Sequence, residues 1–175
     1  VIVVDDCSGM NHEYLTLIDE YSSKIKALKI IFLAENRGAP FARNLGILTS
    51  TCEWVALSDD DDSWYADKLY KQVTSIPPTD NKLAIIHTMA TTVNSNNSTY
   101  LISSVPSQNK HRLKTILASN HIYSSSVLVS RNALLDSGLF DVKLSSCQDW
   151  DLWIQILSKG YLDFCIPEPL IYYRQ

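Results

Sequence analysis

Short β-branched runs alternate with segments of helical periodicity through the first half of this chain, and several of the runs end in aspartate. Val1–Val4 leads into Asp5-Asp6, and Trp54–Leu57 leads, one residue on, into Asp59-Asp60-Asp61-Asp62. Between them, Tyr14, Leu15, Ile18 and Tyr21 recur at helical spacing. Lys29–Leu33 reads as a strand, and Pro40 suits the first turn of a helix carrying Ala42, Leu45 and Leu48. A helix carrying Leu69, Gln72 and Val73 is expected to stop before Pro77-Pro78, and Leu83–Ile86 reads as a further strand. Such alternation implies an α/β domain with right-handed crossovers and a Rossmann-like, mostly parallel central sheet flanked by helices. In open α/β sheets ligands bind beyond the carboxyl ends of the strands, which is where these acids stand.

The second half is less regular. Thr92–Thr99 is polar and reads as a loop. Ser124–Val129 reads as a strand, followed by a short helix capped by Ser130 and ending near Gly138. Gln148–Ser158 reads as a helix stopped by Gly160. Tyr161–Ile166 is the last expected strand, and Pro167 and Pro169 are expected to end it. There is no internal repeat and no linker, so the 175 residues are expected to form one domain.

An apolar content of 46% with 19% charged residues excludes a disordered chain. The net charge, 15 − 19 = −4, comes without a long basic block, which argues against nucleic acid as a partner. No apolar run approaches the ~18 residues of a membrane span, and Val1–Asp6 has no basic leader character. Cys7, Cys52, Cys147 and Cys165 form no CxxC pair and have no histidine at zinc-ligand spacing. They read as reduced, mostly structural cysteines of a cytosolic protein. The glycosylation-type triplets within Asn96–Thr99 then carry no meaning.

Four consecutive carboxylates repel one another and must take up protons or find a cation or strong donors. The run follows a strand, and Trp64 and Leu69 resume an apolar pattern after it, so it is held near the sheet. Hard divalent cations take oxygen ligands, and Mg²⁺ commonly combines one or two carboxylates with substrate phosphates. The alternative is a solvated acidic turn; an EF-hand lacks its glycine and closing glutamate. A second acidic site lies in Gln148-Asp149-Trp150-Asp151-Leu152-Trp153. Asp149 shares a helical face with Leu152, Trp153 and Ile156, at the edge of the core. It reads equally as a partly desolvated general base or as a helix-dipole partner worth ~0.3–1 kcal/mol.

Taken together, these segments resemble the family 2 glycosyltransferases. Val1–Ser8 resembles that family's VVDDGS strand, with Cys7 where glycine is usual. Asn36-Arg37-Gly38 through Ala42-Arg43-Asn44-Leu45-Gly46-Ile47 resembles its NxGxxxARNxGI segment, and Leu57–Trp64 its FLDDDDxW segment. Gln148–Trp153 resembles EDWDLW, with Gln148 in place of glutamate, and Pro167-Glu168-Pro169-Leu170 with Tyr173-Arg174 resembles the PEPLxxYR ending. The matches stand in the family's order and span nearly the whole chain.

The resemblance implies a GT-A fold and an inverting transfer of a sugar from a nucleoside diphosphate donor, commonly a UDP-sugar, to a hydroxyl acceptor. It implies Mn²⁺ or Mg²⁺ at a DXD-like element and a saccharide or lipid-linked saccharide acceptor in bacterial surface polysaccharide synthesis. Carried over by position, Asp6 contacts the nucleotide base and either Arg37 or Arg43 lies along the nucleotide. In Asp59-Asp60-Asp61, Asp59 lies near the ribose and, with Asp61, at the metal; the register is open by one residue. Asp149 becomes the catalytic base. Family members begin with a further strand and a PxYN segment, so the chain is expected to be truncated at its N-terminus and perhaps its C-terminus, exposing a sheet edge open to self-association. The implied setting is cytoplasmic, with peripheral association at the inner membrane face.

His87 reads as a structural histidine at a strand end. Lys110, His111, Arg112 and Lys114 read as a solvated helix start, and Trp150 and Trp153 as core. Ser124-Ser125-Ser126 resembles an acceptor-side segment of the family, but no base accompanies it and no nucleophilic serine is implied. The competing readings are a non-catalytic nucleotide-binding remnant and a receiver-type signalling domain.

Overall fold

The structure is a computed structural model that describes residues 1–78, 82–93, 99–102 (backbone only) and 112–174. The lysine and histidine at 110 and 111 and most of the predicted polar loop lie outside the described residues.

The chain opens with β1 (Ile2–Asp5), α1 (Asn11–Tyr21) and β2 (Lys29–Phe32), then α2 (Ala39–Thr49), β3 (Trp54–Ala56), β4 (Ser63–Trp64) and α3 (Lys68–Thr74). The long β5 (Leu83–Val93), β6 (Thr99–Ile102) and α4 (Arg112–Ala118) follow. A 3-10 turn at Ser124–Ser126 leads to β7 (Leu128–Ser130), α5 (Arg131–Asp136), α6 (Gln148–Ser158) and β8 (Leu162–Arg174). None of the described helices is long and apolar enough to cross a membrane.

Helices flank the sheets as expected, but the pairing is mixed rather than mostly parallel. Among the described residues, β1–β2 and β5–β8 are the parallel pairs; β3–β7, β4–β8, β5–β6 and β5–β7 are antiparallel. Strict strand–helix alternation holds only up to the acidic run. Beyond it, short strands return without a full crossover helix, and such returns favour antiparallel pairing. The antiparallel pairs also exclude the receiver-type reading, whose doubly wound sheet is parallel. The strands form a two-stranded sheet, β1-β2, and a larger one in the order β3-β7-β5-β8-β4, with β6 on β5.

Two boundaries differ from expectation for local reasons. β8 runs through both prolines because Thr88 pairs with Ile166 and Met89 with Pro169, leaving Pro167 and Glu168 in a bulge. A bulge is where a strand tolerates proline. Ser124–Ser126 turns instead of extending, and the strand is confined to Leu128–Ser130. Ser130 does occupy the cap position of α5, but its side chain makes no cap hydrogen bond.

Alternation along the central strands divides the core. Ile85 and Val129 face one cluster with Leu134, Leu152, Trp153 and Ile156, while Ile86 and Leu128 face a second with Ile166 and Leu170. Trp153 is fully buried and donates its indole N–H to the Ile122 carbonyl at 3.0 Å. Truncating such a residue to alanine costs about 3–5 kcal/mol. Trp150 packs partly buried against the same cluster.

Two helices present faces that periodicity did not forecast. In α3, Leu69 and Val73 are exposed, whereas Lys68 and Gln72 are fully buried. The Lys68 ammonium lies 4.1 Å from the Trp64 ring centroid and donates to Gln72 Oε1 at 2.9 Å. Gln72 Nε2 donates to the carbonyls of Ile86 and Ser126 at 2.8 and 2.9 Å. α1 buries none of its residues.

None of the four cysteines forms a disulfide, and only Cys165 is buried, so the expectation of mostly structural cysteines does not hold. Cys7 and Cys147 adopt φ of 64° and 59°. Cys7 thus stands in the left-handed conformation that glycine takes most easily, at the position where the family pattern has glycine.

Candidate active site

The site forms where β1, the loop after β3, the serine turn and the start of α6 meet. Asp6, just past β1, spends its carboxylate on the backbone. Oδ1 accepts the Arg37 N–H and Oδ2 the Gly38 N–H, both at 2.7 Å, and Asn36 Nδ2 donates to the Asp6 carbonyl at 3.1 Å. The aspartate thereby fixes the entry to α2. Gly38, at φ 87°, makes the turn, and proline follows in the first helical turn.

α2 and the turn before it carry the two arginines, which are used differently. Arg37 is exposed and stacks its guanidinium 3.8 Å from the Phe41 ring centroid. Arg43, half-buried, donates to Asp59 Oδ1 from Nη2 at 2.5 Å and from Nε at 3.2 Å. Asn44 joins α2 to the turn before the α6 region: its Nδ2 donates to the Phe140 carbonyl at 2.8 Å, and its Oδ1 accepts the Phe140 N–H at 2.9 Å.

The four aspartates separate into two pairs. Asp60 and Asp61 are exposed; Asp59 and Asp62 are half-buried. Asp59 donates its backbone N–H to Ser125 Oγ at 2.9 Å. Asp62 Oδ1 accepts the Arg174 N–H from the end of β8 at 3.0 Å. Its Oδ2 is buried without a hydrogen bond. Burial raises the pKa of Asp62, and the charges of Asp61 and Asp59 add to the rise, while Ser125 and the Arg174 N–H partly oppose it.

Asp149 lies in the first turn of α6, half-buried. Its Oδ1 accepts the Trp150 N–H at 2.7 Å and its Oδ2 accepts from Asn120 Nδ2 at 3.3 Å. Asn120 is itself held, since its Oδ1 accepts the Ile122 N–H at 3.2 Å. Asp151 faces elsewhere, accepting from Gln155 Nε2 at 2.6 Å.

Two tyrosines connect these groups. Burial raises the Tyr173 pKa, and the charges of Asp62, Asp149 and Asp59 raise it further. Tyr173 therefore stands within electrostatic reach of both acidic sites, and its ring packs 4.8 Å from that of Tyr123. Burial and then the charges of Asp5 and Asp60 raise the Tyr14 pKa. Asp59, Asp62 and Asp149 thus act on one tyrosine, and Asp5 and Asp60 on another.

Among the described residues, no group of three or more histidine, cysteine, aspartate or glutamate side chains forms a self-sufficient metal cage. A divalent ion that shares its shell with phosphates needs fewer protein ligands. A buried carboxylate oxygen without a hydrogen bond, pressed by two neighbouring carboxylates, suits such an ion, so the residues present fit one.

Several other residues stand apart from their expected places. His87 lies within β5, fully buried, with Nε2 at 3.4 Å from Asp163 Oδ2. Burial lowers its pKa, against the opposing effect of Asp163. Arg112 starts α4 but lies 3.5 Å from Asp163 instead of in solvent. Asn44, Asn120 and the hydrogen bonding of Ser125 had no reading from sequence. Their partners are backbone groups or residues far along the chain, which spacing does not reveal.

The Glycosyl transferase family 2 model matches residues 1–139. Over 173 residues the chain is 27% identical to an uncharacterized glycosyltransferase of Haemophilus influenzae, covering 98% of this chain and 57% of the relative. It is 25% identical to the putative teichuronic acid biosynthesis glycosyltransferase TuaG of Bacillus subtilis, covering 99% and 66%. The chain spans 57% of the length of the Haemophilus influenzae relative and 27% of that of an uncharacterized glycosyltransferase of Rickettsia felis. In fold it is similar to S. aureus TarS 1-349 in complex with UDP, with TM-score 0.71 and 21% identity over 100% of this chain and 51% of that one. It is also similar to the mannosyltransferase PcManGT from Pyrobaculum calidifontis in complex with GDP-Man and Mn²⁺, with TM-score 0.70 and 20% identity over 98% and 46%. With its mixed sheet flanked by helices and a family match over most of its length, the chain has the GT-A fold and belongs to glycosyltransferase family 2.

Proposed function

We propose that this chain transfers a sugar from a nucleoside diphosphate donor, a UDP-sugar first among them, to a hydroxyl of a saccharide or lipid-linked saccharide, with inversion. The observation that carries the reading is that the charges of Asp62, Asp149 and Asp59 all raise the pKa of the one Tyr173 hydroxyl. Inversion needs a base on the face of the sugar opposite the leaving group, so two carboxylate sites must flank one substrate. The UDP in one structural neighbour and the GDP-Man with Mn²⁺ in another support a nucleotide-sugar donor, and TuaG supports a surface polysaccharide as product.

In this reading Asp59 and Asp61 hold Mn²⁺ or Mg²⁺, and the orphaned Asp62 Oδ2 adds an oxygen to the same place. A divalent ion, when bound, offsets the negative charge that grows on the departing diphosphate. The chain's own groups do the rest. Asp6 and Asp60 line the nucleotide end. Arg37, exposed on Phe41, turns toward the diphosphate, while Arg43 holds Asp59 in place. Asp149, oriented by the Asn120 amide, takes the proton of the acceptor hydroxyl, a contribution of ~10²–10⁴-fold.

The test is thermal unfolding with UDP and with GDP, each with and without Mn²⁺. A rise in midpoint that requires both nucleotide and metal supports the donor site; none with any combination rejects it. Metal-dependent binding with no transfer from any nucleotide sugar would favour a nucleotide-binding remnant.

A further inference from the structure

Ser125 has no part in the chemistry above, yet it touches the acidic run at its start. We infer that Ser125 is a positioning residue of the donor site: its hydroxyl sets the conformation of Asp59–Asp62 and thereby their affinity for a divalent cation. The inference rests on the donor-site reading.

A hydroxyl accepts and donates at once. Ser125 Oγ accepts the Asp59 backbone N–H at 2.9 Å. That contact ties the serine turn to the first residue of the run. With the Arg43 contact at Asp59 and the Arg174 N–H at Asp62, the ends are held inward while Asp60 and Asp61 remain exposed.

The serine has little freedom to drift. It is 1% exposed. The next residue, Ser126, donates from Oγ to the Tyr123 carbonyl at 2.7 Å, and its own carbonyl accepts from Gln72 at 2.9 Å. Gln72 is in turn held by the buried Lys68. This chain of contacts runs from α3 through the turn to the acidic loop, buried from Lys68 to Ser125. A serine that merely filled space would not accept a hydrogen bond from the backbone of the acidic run.

The test is Ser125→Ala, with Mn²⁺ binding followed by electron paramagnetic resonance at saturating UDP, and repeated with GDP. The Mn²⁺ dissociation constant is expected to rise about tenfold, the size of one lost hydrogen bond to a charged loop. Where transfer can be assayed, the loss falls on KM for the donor more than on kcat. In an Asp62→Asn background, Ser125→Ala should add less than twofold, because the two act through the same loop. Ser125→Cys, similar in size but a poor acceptor, reads the same affinity if alanine does not fold. Mn²⁺ affinity within twofold of wild type in both variants overturns the inference while leaving the donor site intact. A wild-type chain that binds no Mn²⁺ with either nucleotide overturns the donor site, and this inference with it.

Discussion

Arg43 closes on Asp59 through two nitrogens that share one oxygen, Nη2 at 2.5 Å and Nε at 3.2 Å from Oδ1. The pair is screened from solvent on most sides, with side chains 21% and 28% exposed. It joins α2 to the first residue of the acidic run, so the loop's position depends on a helix formed before it in the chain.

Arg43→Ala is therefore expected to destabilise the fold by about 1–3 kcal/mol, the range for hydrogen bonds to charged groups. Arg43→Lys should recover less than half, since an ammonium cannot reproduce the planar fork. Urea unfolding midpoints check both; an unchanged midpoint for alanine would show the pair to be idle.

Asp62→Asn should stabilise the metal-free protein at neutral pH and abolish part of the gain from Mn²⁺ with nucleotide. The folded-state pKa of Asp62 is raised, so the native state holds this proton more tightly than the unfolded chain. Stability from this group is present below the unfolded value of 3.8 and is lost as pH rises through the folded value, leaving the full penalty at pH 7. Asparagine removes the charge and keeps an acceptor for the Arg174 N–H. Melting curves at pH 4 and pH 7 test the sign: the stabilisation should be larger at pH 7.

Asp149→Asn should lower kcat by ~10²–10⁴-fold while leaving metal-dependent nucleotide binding within twofold. Asn120→Ala should give a smaller loss, because it removes only the orienting contact to Oδ2. Normal turnover by Asp149→Asn would place the base elsewhere.

Lys68 gives a separate pH signature. Burial pushes its pKa down to about 7 from 10.5. Between these values the unfolded chain holds a proton that the folded protein does not, so stability climbs as pH rises from about 7 to 10.5 and is flat on either side. Lys68→Met should lose that climb. Urea unfolding at pH 7 and pH 9.5 measures the difference, and an equal slope in both proteins would refute it.

Much of the fold was legible because local rules act within a few residues. α6 was expected over Gln148–Ser158 and forms there, with Asp149 and Asp151 in its first turn and Gly160 at φ 88° beyond its end. Pro40 enters α2 as anticipated. α3 shows the limit of periodicity. Leu69 and Val73 mark its apolar face in the sequence, yet Lys68 and Gln72 turn inward because Trp64 and two backbone carbonyls meet them there. β8 shows another limit, since a bulge opposite β5 absorbs Pro167 with Glu168 and the strand continues through Pro169, which pairs with Met89.

The sequence by itself determined which residue types stand at the strand tips and which stretches form helices, because periodicity, caps and turn residues are short-range properties. It also carried the family, whose motifs are runs of neighbouring residues. Only the tertiary structure decided the antiparallel pairings, the inward turn of Asp59 and Asp62, and the separation of Arg43 from Arg37. Each of those depends on partners brought close from distant parts of the chain: Asp59 on Ser125, Asp62 on Arg174, Asp149 on Asn120. No spacing rule encodes such pairs, since they exist only once burial has made an unpaired polar group costly.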